Sequence, residues 1–272
     1  MSPTPASPPG APGIQEEPQG AERTVRTHVP SSIGGAPVSY VVMLASVVAV
    51  LSFIPFSLAF ASGGSFPMAQ GVYPLTGWLL GPVAGMTASG LGALAGVFLA
   101  PHTAGIPWIT VGGAVLGAGF ASCIVARGRR ALGLAASLLG VGVLVAYFQQ
   151  ATEGYGVRPG VFLAAYVSHL GALTLFVLPT RRWIGRLIAS PDLRRVWFGL
   201  FLGTWSATGI MMLCESFTAY SLLHWPSQLF LVFAGIVPVE EAARSTIGAV
   251  VGTGVIAGLR ALSLMRPPGA RY

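Results

Sequence analysis

Apolar runs recur along the sequence at about 38–60, 66–80, 82–100, 107–126, 131–149, 160–179, 196–220 and 228–262. Roughly 20 such residues in a helix cross the ~30 Å hydrocarbon layer of a bilayer. Inside that layer each backbone amide must find its partner within a helix or a closed barrel. The runs lack the strict in-out alternation of barrel strands, so they predict an all-α integral membrane protein, a polytopic helical bundle. Charge agrees: only 8% of the residues are Asp, Glu, Lys or Arg, against about 25% in soluble domains. A soluble enzyme is excluded.

Residues 1–37 are rich in Pro, Gly, Ala and Ser and hold too few apolar side chains to bury a core. They are expected to be a disordered cytoplasmic tail ahead of a transmembrane helical domain over 38–265. Cys123 and Cys214 each lie inside an apolar run, which indicates neither a disulfide framework nor a thiolate metal site.

The second and third runs meet at Gly81-Pro82 with no polar loop between them. Proline lacks an amide donor and disfavours helix in the residue before it, so a straight helix through this point is not expected. The arginines arbitrate between turn and kink, because short cytoplasmic loops carry the basic excess. With a turn there are about eight segments, and Arg23 and Arg26, the 127–130 cluster, the 181–195 cluster, and Arg260, Arg266 and Arg271 all fall on one face. The opposite loops hold Arg158 alone. The sequence therefore predicts a multi-pass protein of the cell membrane with both termini cytoplasmic. The net charge of +7 is read as an orientation signal, not as a nucleic-acid surface.

Small residues recur at helical spacing, Gly85, Ser89, Gly92 and Ala93 in one run and Gly113, Gly117 and Ala121 in another. In lipid such faces let backbones approach closely. The order of features resembles the substrate-binding S components of energy-coupling factor (ECF) transporters. The matching residues are SVVAVLSFIPF at 46–56, LLGP at 79–82, VAGMTASGLGALAG at 83–96, the Pro101 to Pro107 loop, and Arg127 to Arg130. A weaker match covers the run at 196–220 and IVPVEEAARSTIGAVVGTGVIAGLRAL at 236–262. The family has six helices, and here an additional hairpin, 131–149 with 160–179, stands between the fourth and fifth. The resemblance implies a non-catalytic subunit that captures a vitamin or similar small molecule from the outer face. Its partners would be a transmembrane coupling subunit and two ATPase subunits. It further implies that Ala45 and Ala49, matching an Ala-x-x-x-Ala motif, dock the coupling subunit; ordinary bundle packing explains the same pair.

Ionisable residues inside spans are functional suspects, since isolated charge in hydrocarbon is costly. Glu215 reads as facing a cavity or as a carboxylate at headgroup level. Glu240 and Arg244, at i, i+4 spacing, with Glu241 beside them, read as a self-neutralising pair or as ligand contacts near the outer surface, where a loop folds back after Pro238. His169 reads first as a structural hydrogen-bonding group. Gln70, Tyr73, His102, Trp108, Thr110, His224, Trp225 and Gln228 are candidate walls of an outer pocket. Of these, Gln70, His102 and Trp108 join Glu215, Glu240, Glu241 and Arg244 as the expected substrate-binding set.

No phosphate-binding G-x-x-x-x-G-K-[ST] motif, no H-E-x-x-H and no local Ser-His-Asp signature occurs. The four histidines are scattered, so neither a metal nor a cofactor is expected. Two other classes stay open. A self-sufficient secondary transporter would carry an internal repeat, and an intramembrane enzyme would need paired acids, for which Glu240 and Glu241 are the nearest candidates.

Overall fold

The computed structural model describes residues 31–56, 66–125, 130–262, 267, 270 and 272. Expectations for residues 1–30, and for Arg127, Arg129, Arg266 and Arg271, fall outside this set. Residues 31–37, assigned from sequence to the tail, instead hold a small antiparallel hairpin. Its strands are β1 (Ser32–Ile33) and β2 (Ala36–Pro37), with Ala36 fully buried.

Ten helices follow among the described residues: α1 (Val38–Leu51), α2 (Tyr73–Leu80), α3 (Pro82–Leu99), α4 (Pro107–Val125), α5 (Arg130–Gln149), α6 (Pro159–Ala165), α7 (Val167–Val177), α8 (Thr180–Ile188), α9 (Leu193–Leu223) and α10 (Gln228–Ala261). Short tight turns of helix at Met68–Gly71 and Pro101–Thr103 flank α2 and α3. The protein is an all-α bundle. Five helices, α3, α4, α5, α9 and α10, are each long and apolar enough to cross a membrane, or six spans if the bent pair α6 and α7 is one. The eight runs of the sequence do not all become full crossings. α1 ends after 14 residues and α2 after eight.

Gly81-Pro82 is a turn. Gly81 takes a φ of 82°, open to glycine and strained for other residues, and Pro82 starts α3 where its missing amide has no helical partner to lose. Thr76 Oγ1 lies 2.8 Å from Ser89 Oγ. Those residues would stand about 20 Å apart along one straight helix, so α3 must fold back beside α2. Every residue of α2 is buried, which makes it a half-helix enclosed by the bundle and not a lipid-facing span.

The small-residue faces are the contact lines. Gly85 rests on the Gly77 backbone, and Gly92 on the Ala45 carbonyl of α1. A side chain at either point would push the helices apart, and in lipid close packing is a main source of association energy. α9 and α10 pair antiparallel in a legible register: Leu200 lies beside Gly252, Thr204 beside Gly248, and Thr208 is bonded to Glu241.

The Arg-bearing segments gather at one end of the bundle. Arg181 at the start of α8 donates to the Gly133 carbonyl of α5 at 3.0 Å, Gly185 of α8 lies against the Ile124 carbonyl near the end of α4, and Arg260 of α10 reaches the Ile188 carbonyl at 3.5 Å. The stretch at 180–188, read from sequence as a loop, is a helix. α8 buries Ile184 and Ile188 while exposing Trp183, the two-faced pattern of a helix lying at an interface.

Candidate functional site

The other half of the bundle holds a cavity, partly open to solvent, lined by residues of α4, α7, α9 and α10 and their adjoining turns, together with Phe66. Its walls are mainly apolar or aromatic, with Phe66, Ile109, Tyr166, Met212, Trp225 and Phe233 prominent. Four ionisable side chains reach it: Glu215, Glu240, Arg244 and His169.

Glu215 stands on α9 and is 5% exposed. Gln70, on the turn before α2, donates from Nε2 to Glu215 Oε2 at 3.4 Å, while Oε1 has no hydrogen-bond partner. The carboxylate fits only because α4 offers glycine there: a Cβ on Gly113 would collide with Oε1. Small residues on α4 thus do two jobs, close helix packing and room for a buried acid.

Arg244 is 1% exposed and bridges two acids from its own helix. Its Nη2 bonds Glu240 Oε2 at 3.0 Å and its Nη1 bonds Glu241 Oε1. Spacings of three and four residues place both acids over the same turn of α10 as the arginine. Glu241 also accepts from Thr208 Oγ1 of α9 at 3.0 Å, which ties the triad to the neighbouring helix. The triad is not near the surface after a fold-back, as expected from sequence. α10 runs unbroken from Gln228 to Ala261 with Pro238 inside it, and this sets the acids and Arg244 in the buried middle of a long helix.

His169 lies at the break between α6 and α7, which are bent by 69°. Its Nδ1 is 3.5 Å from Ser168 Oγ, and its Nε2 has no partner although the residue is 2% exposed. No proline or glycine stands at the break; packing holds it. Tyr166 bonds Tyr147 of α5 hydroxyl to hydroxyl at 2.6 Å and stacks on Phe162 at 4.8 Å, and Trp205 of α9 donates to the Ser168 carbonyl at 3.3 Å. The α6–α7 break therefore contributes to the cavity wall through Tyr166 and His169.

The structure brings together Glu215, Gln70, Glu240, Glu241 and Arg244. Thr110 and Trp225 line the cavity as well. Two expected members lie elsewhere. His102 is exposed and its Nε2 meets the Phe53 carbonyl at 3.2 Å, closing the end of α1. Trp108 is 58% exposed, because Ile109, Thr110 and Gly113 take the inward face of α4. Ala45 and Ala49 are half-buried on α1, with Ala45 against α3. Sequence reasoning missed Tyr166, Ser216 and Phe233 as lining residues. A histidine inside an apolar run was the available signal for the first; the other two carry none.

Among the described residues no group of three His, Cys, Asp or Glu side chains is placed to hold a metal ion. The arrangement instead suits an organic guest: an apolar, partly aromatic chamber with a few fixed polar groups. No protein-family model, curated protein or solved structure matches the chain.

Proposed function

We propose that this protein is a membrane-embedded binding subunit for a small molecule, one that acts in uptake across the cell membrane. The observation that carries the reading is the cavity itself. Its lining residues carry four buried polar atoms without partners among the described residues, Glu215 Oε1, His169 Nε2, Trp225 Nε1 and Arg244 Nε, and unsatisfied buried polar atoms destabilise a fold unless something else bonds them. A guest molecule would supply those bonds.

The finer reading follows the resemblance to ECF S components. On it both termini and the Arg-bearing end face the cytoplasm, the chain contributes eight membrane segments with α2 as a half-crossing, and the cavity end faces outward to take up a vitamin-like molecule. The chain is itself non-catalytic, and a coupling subunit with two ATPases drives release. A second reading, a self-sufficient secondary transporter, is favoured by the α6–α7 break at the cavity wall, since broken helices border the substrate sites of such proteins.

Native mass spectrometry of protein purified from its own membranes tests the binding role, with a small molecule retained as the expected result. Ala45→Leu and Ala49→Leu then separate the two readings. For an S component either change weakens recovery of coupling and ATPase subunits while a retained ligand stays bound. Unchanged recovery, with uptake independent of ATP, would favour the secondary transporter.

A further inference from the structure

We infer that the guest of this cavity is an organic cation, a protonated amine or amidine on an apolar or aromatic body. The inference rests on the binding role proposed above and adds the chemical class of what is bound.

Charge is the first argument. Three carboxylates, Glu215, Glu240 and Glu241, stand at or directly behind the cavity wall, and the described residues provide one guanidinium among them. Arg244 commits both of its terminal nitrogens to Glu240 and Glu241. Glu215 is left with a single amide donor, Gln70, on one oxygen and none on the other. An anionic guest would bring a further negative charge to this surplus inside a low-dielectric bundle. A cation would complete an ion pair at Glu215 Oε1, and buried charges persist when so paired.

Shape and surface are the second. The remaining walls include the rings of Tyr166, Trp225, Phe66 and Phe233. Aromatic faces attract cations through their quadrupoles as well as covering apolar surface. Inorganic cations fit less well, because the acids and His169 do not converge as a metal-ligating set. His169 Nε2, Trp225 Nε1 and Arg244 Nε, on other lining residues, are unpartnered as well among the described residues; the neutral imidazole can accept a hydrogen bond from an ammonium, and the two N–H groups can donate to a hydroxyl or carbonyl carried on the same guest.

The test uses three probes that share an indole body and differ in charge: tryptamine, indole-3-ethanol and indole-3-acetate. Each is titrated into full-length protein in nanodiscs by calorimetry. Tryptamine is expected to bind about ten- to a hundredfold more tightly than either of the others, and Glu215→Gln to remove most of that preference, the range for losing a charge-assisted hydrogen bond. The parent protein decides the matter even where the variant misfolds. If indole-3-acetate or indole-3-ethanol binds the parent as tightly as tryptamine, the cation assignment is overturned while the binding role stands. If none of the three binds at its solubility limit, the cation assignment is overturned, and the binding role is decided by native mass spectrometry alone.

Discussion

The Glu215 carboxylate lies against the bare backbone of Gly113, so that a single methyl group on α4 would occupy the place of its Oε1. Gly113→Ala should therefore destabilise the bundle by about 1–3 kcal/mol, as overpacking of a tight core does. Most of that loss should vanish in a Glu215→Ala background, where the methyl has room. Thermal unfolding in detergent of the two single variants and the double variant gives the coupling directly. Strict additivity would mean that the two residues do not share the space described.

Arg244 holds two buried acids on one guanidinium. Arg244→Met should cost about 3–5 kcal/mol, because it removes the buried guanidinium that bridges Glu240 and Glu241. Neutralising all three, with Glu240→Gln and Glu241→Gln added, should restore much of the loss. Arg244→Lys should rescue poorly, since an ammonium cannot reproduce the two-pronged bond. The readout is the monodisperse fraction after extraction and its unfolding midpoint; a stable, monodisperse Arg244→Met protein would show that the bridge contributes little.

The Tyr147–Tyr166 hydroxyl contact supports the break between α6 and α7. Tyr147→Phe leaves the ring cluster in place and removes one hydrogen bond, for an expected loss of roughly 1 kcal/mol. Amide exchange should rise across 159–177 more than elsewhere. A uniform rise, or none, would place the cause of the bend in another contact.

Labelling can test the shared end of the Arg-bearing segments. With Cys123 and Cys214 replaced, single cysteines at Arg130 and Arg186 should react with an impermeant maleimide from the same side of the membrane, and one at Tyr155 from the other. The Arg181–Gly133 and Arg260–Ile188 contacts require the first pair to agree. Opposite labelling of 130 and 186 would contradict the fold.

The bundle was legible in the sequence because its solvent is lipid. Long apolar runs, a proline-marked turn and an arginine bias report crossings, the α2–α3 reversal and the common end without tertiary information. Glu215, Gln70 and the Arg244 triad were legible for a related reason, since polar side chains stand out in apolar runs. What stayed hidden depends on rotation about helix axes. Nothing in the sequence separates the outward Trp108 from the inward Thr110, which differ by two positions in a helix without amphipathic contrast. The α6–α7 break was equally silent, because aromatic packing and not proline or glycine makes it. α8 was taken for a loop because its arginines dominate a short segment, although Ile184 and Ile188 give it an apolar face.

α9 and α10, the two helices that carry the acids and Arg244, have 31 and 34 residues. At the α-helical rise they measure roughly 46 and 51 Å, while the hydrocarbon layer is about 30 Å thick. The excess has to be absorbed by tilt or by ends that emerge among the headgroups. Bilayer thickness thus becomes a mechanical input to the helix pair bearing these charges. A thinner membrane would favour greater tilt of α9 against its neighbours and move Glu215 relative to Gly113, so lipid chain length should tune the shape of the chamber from outside.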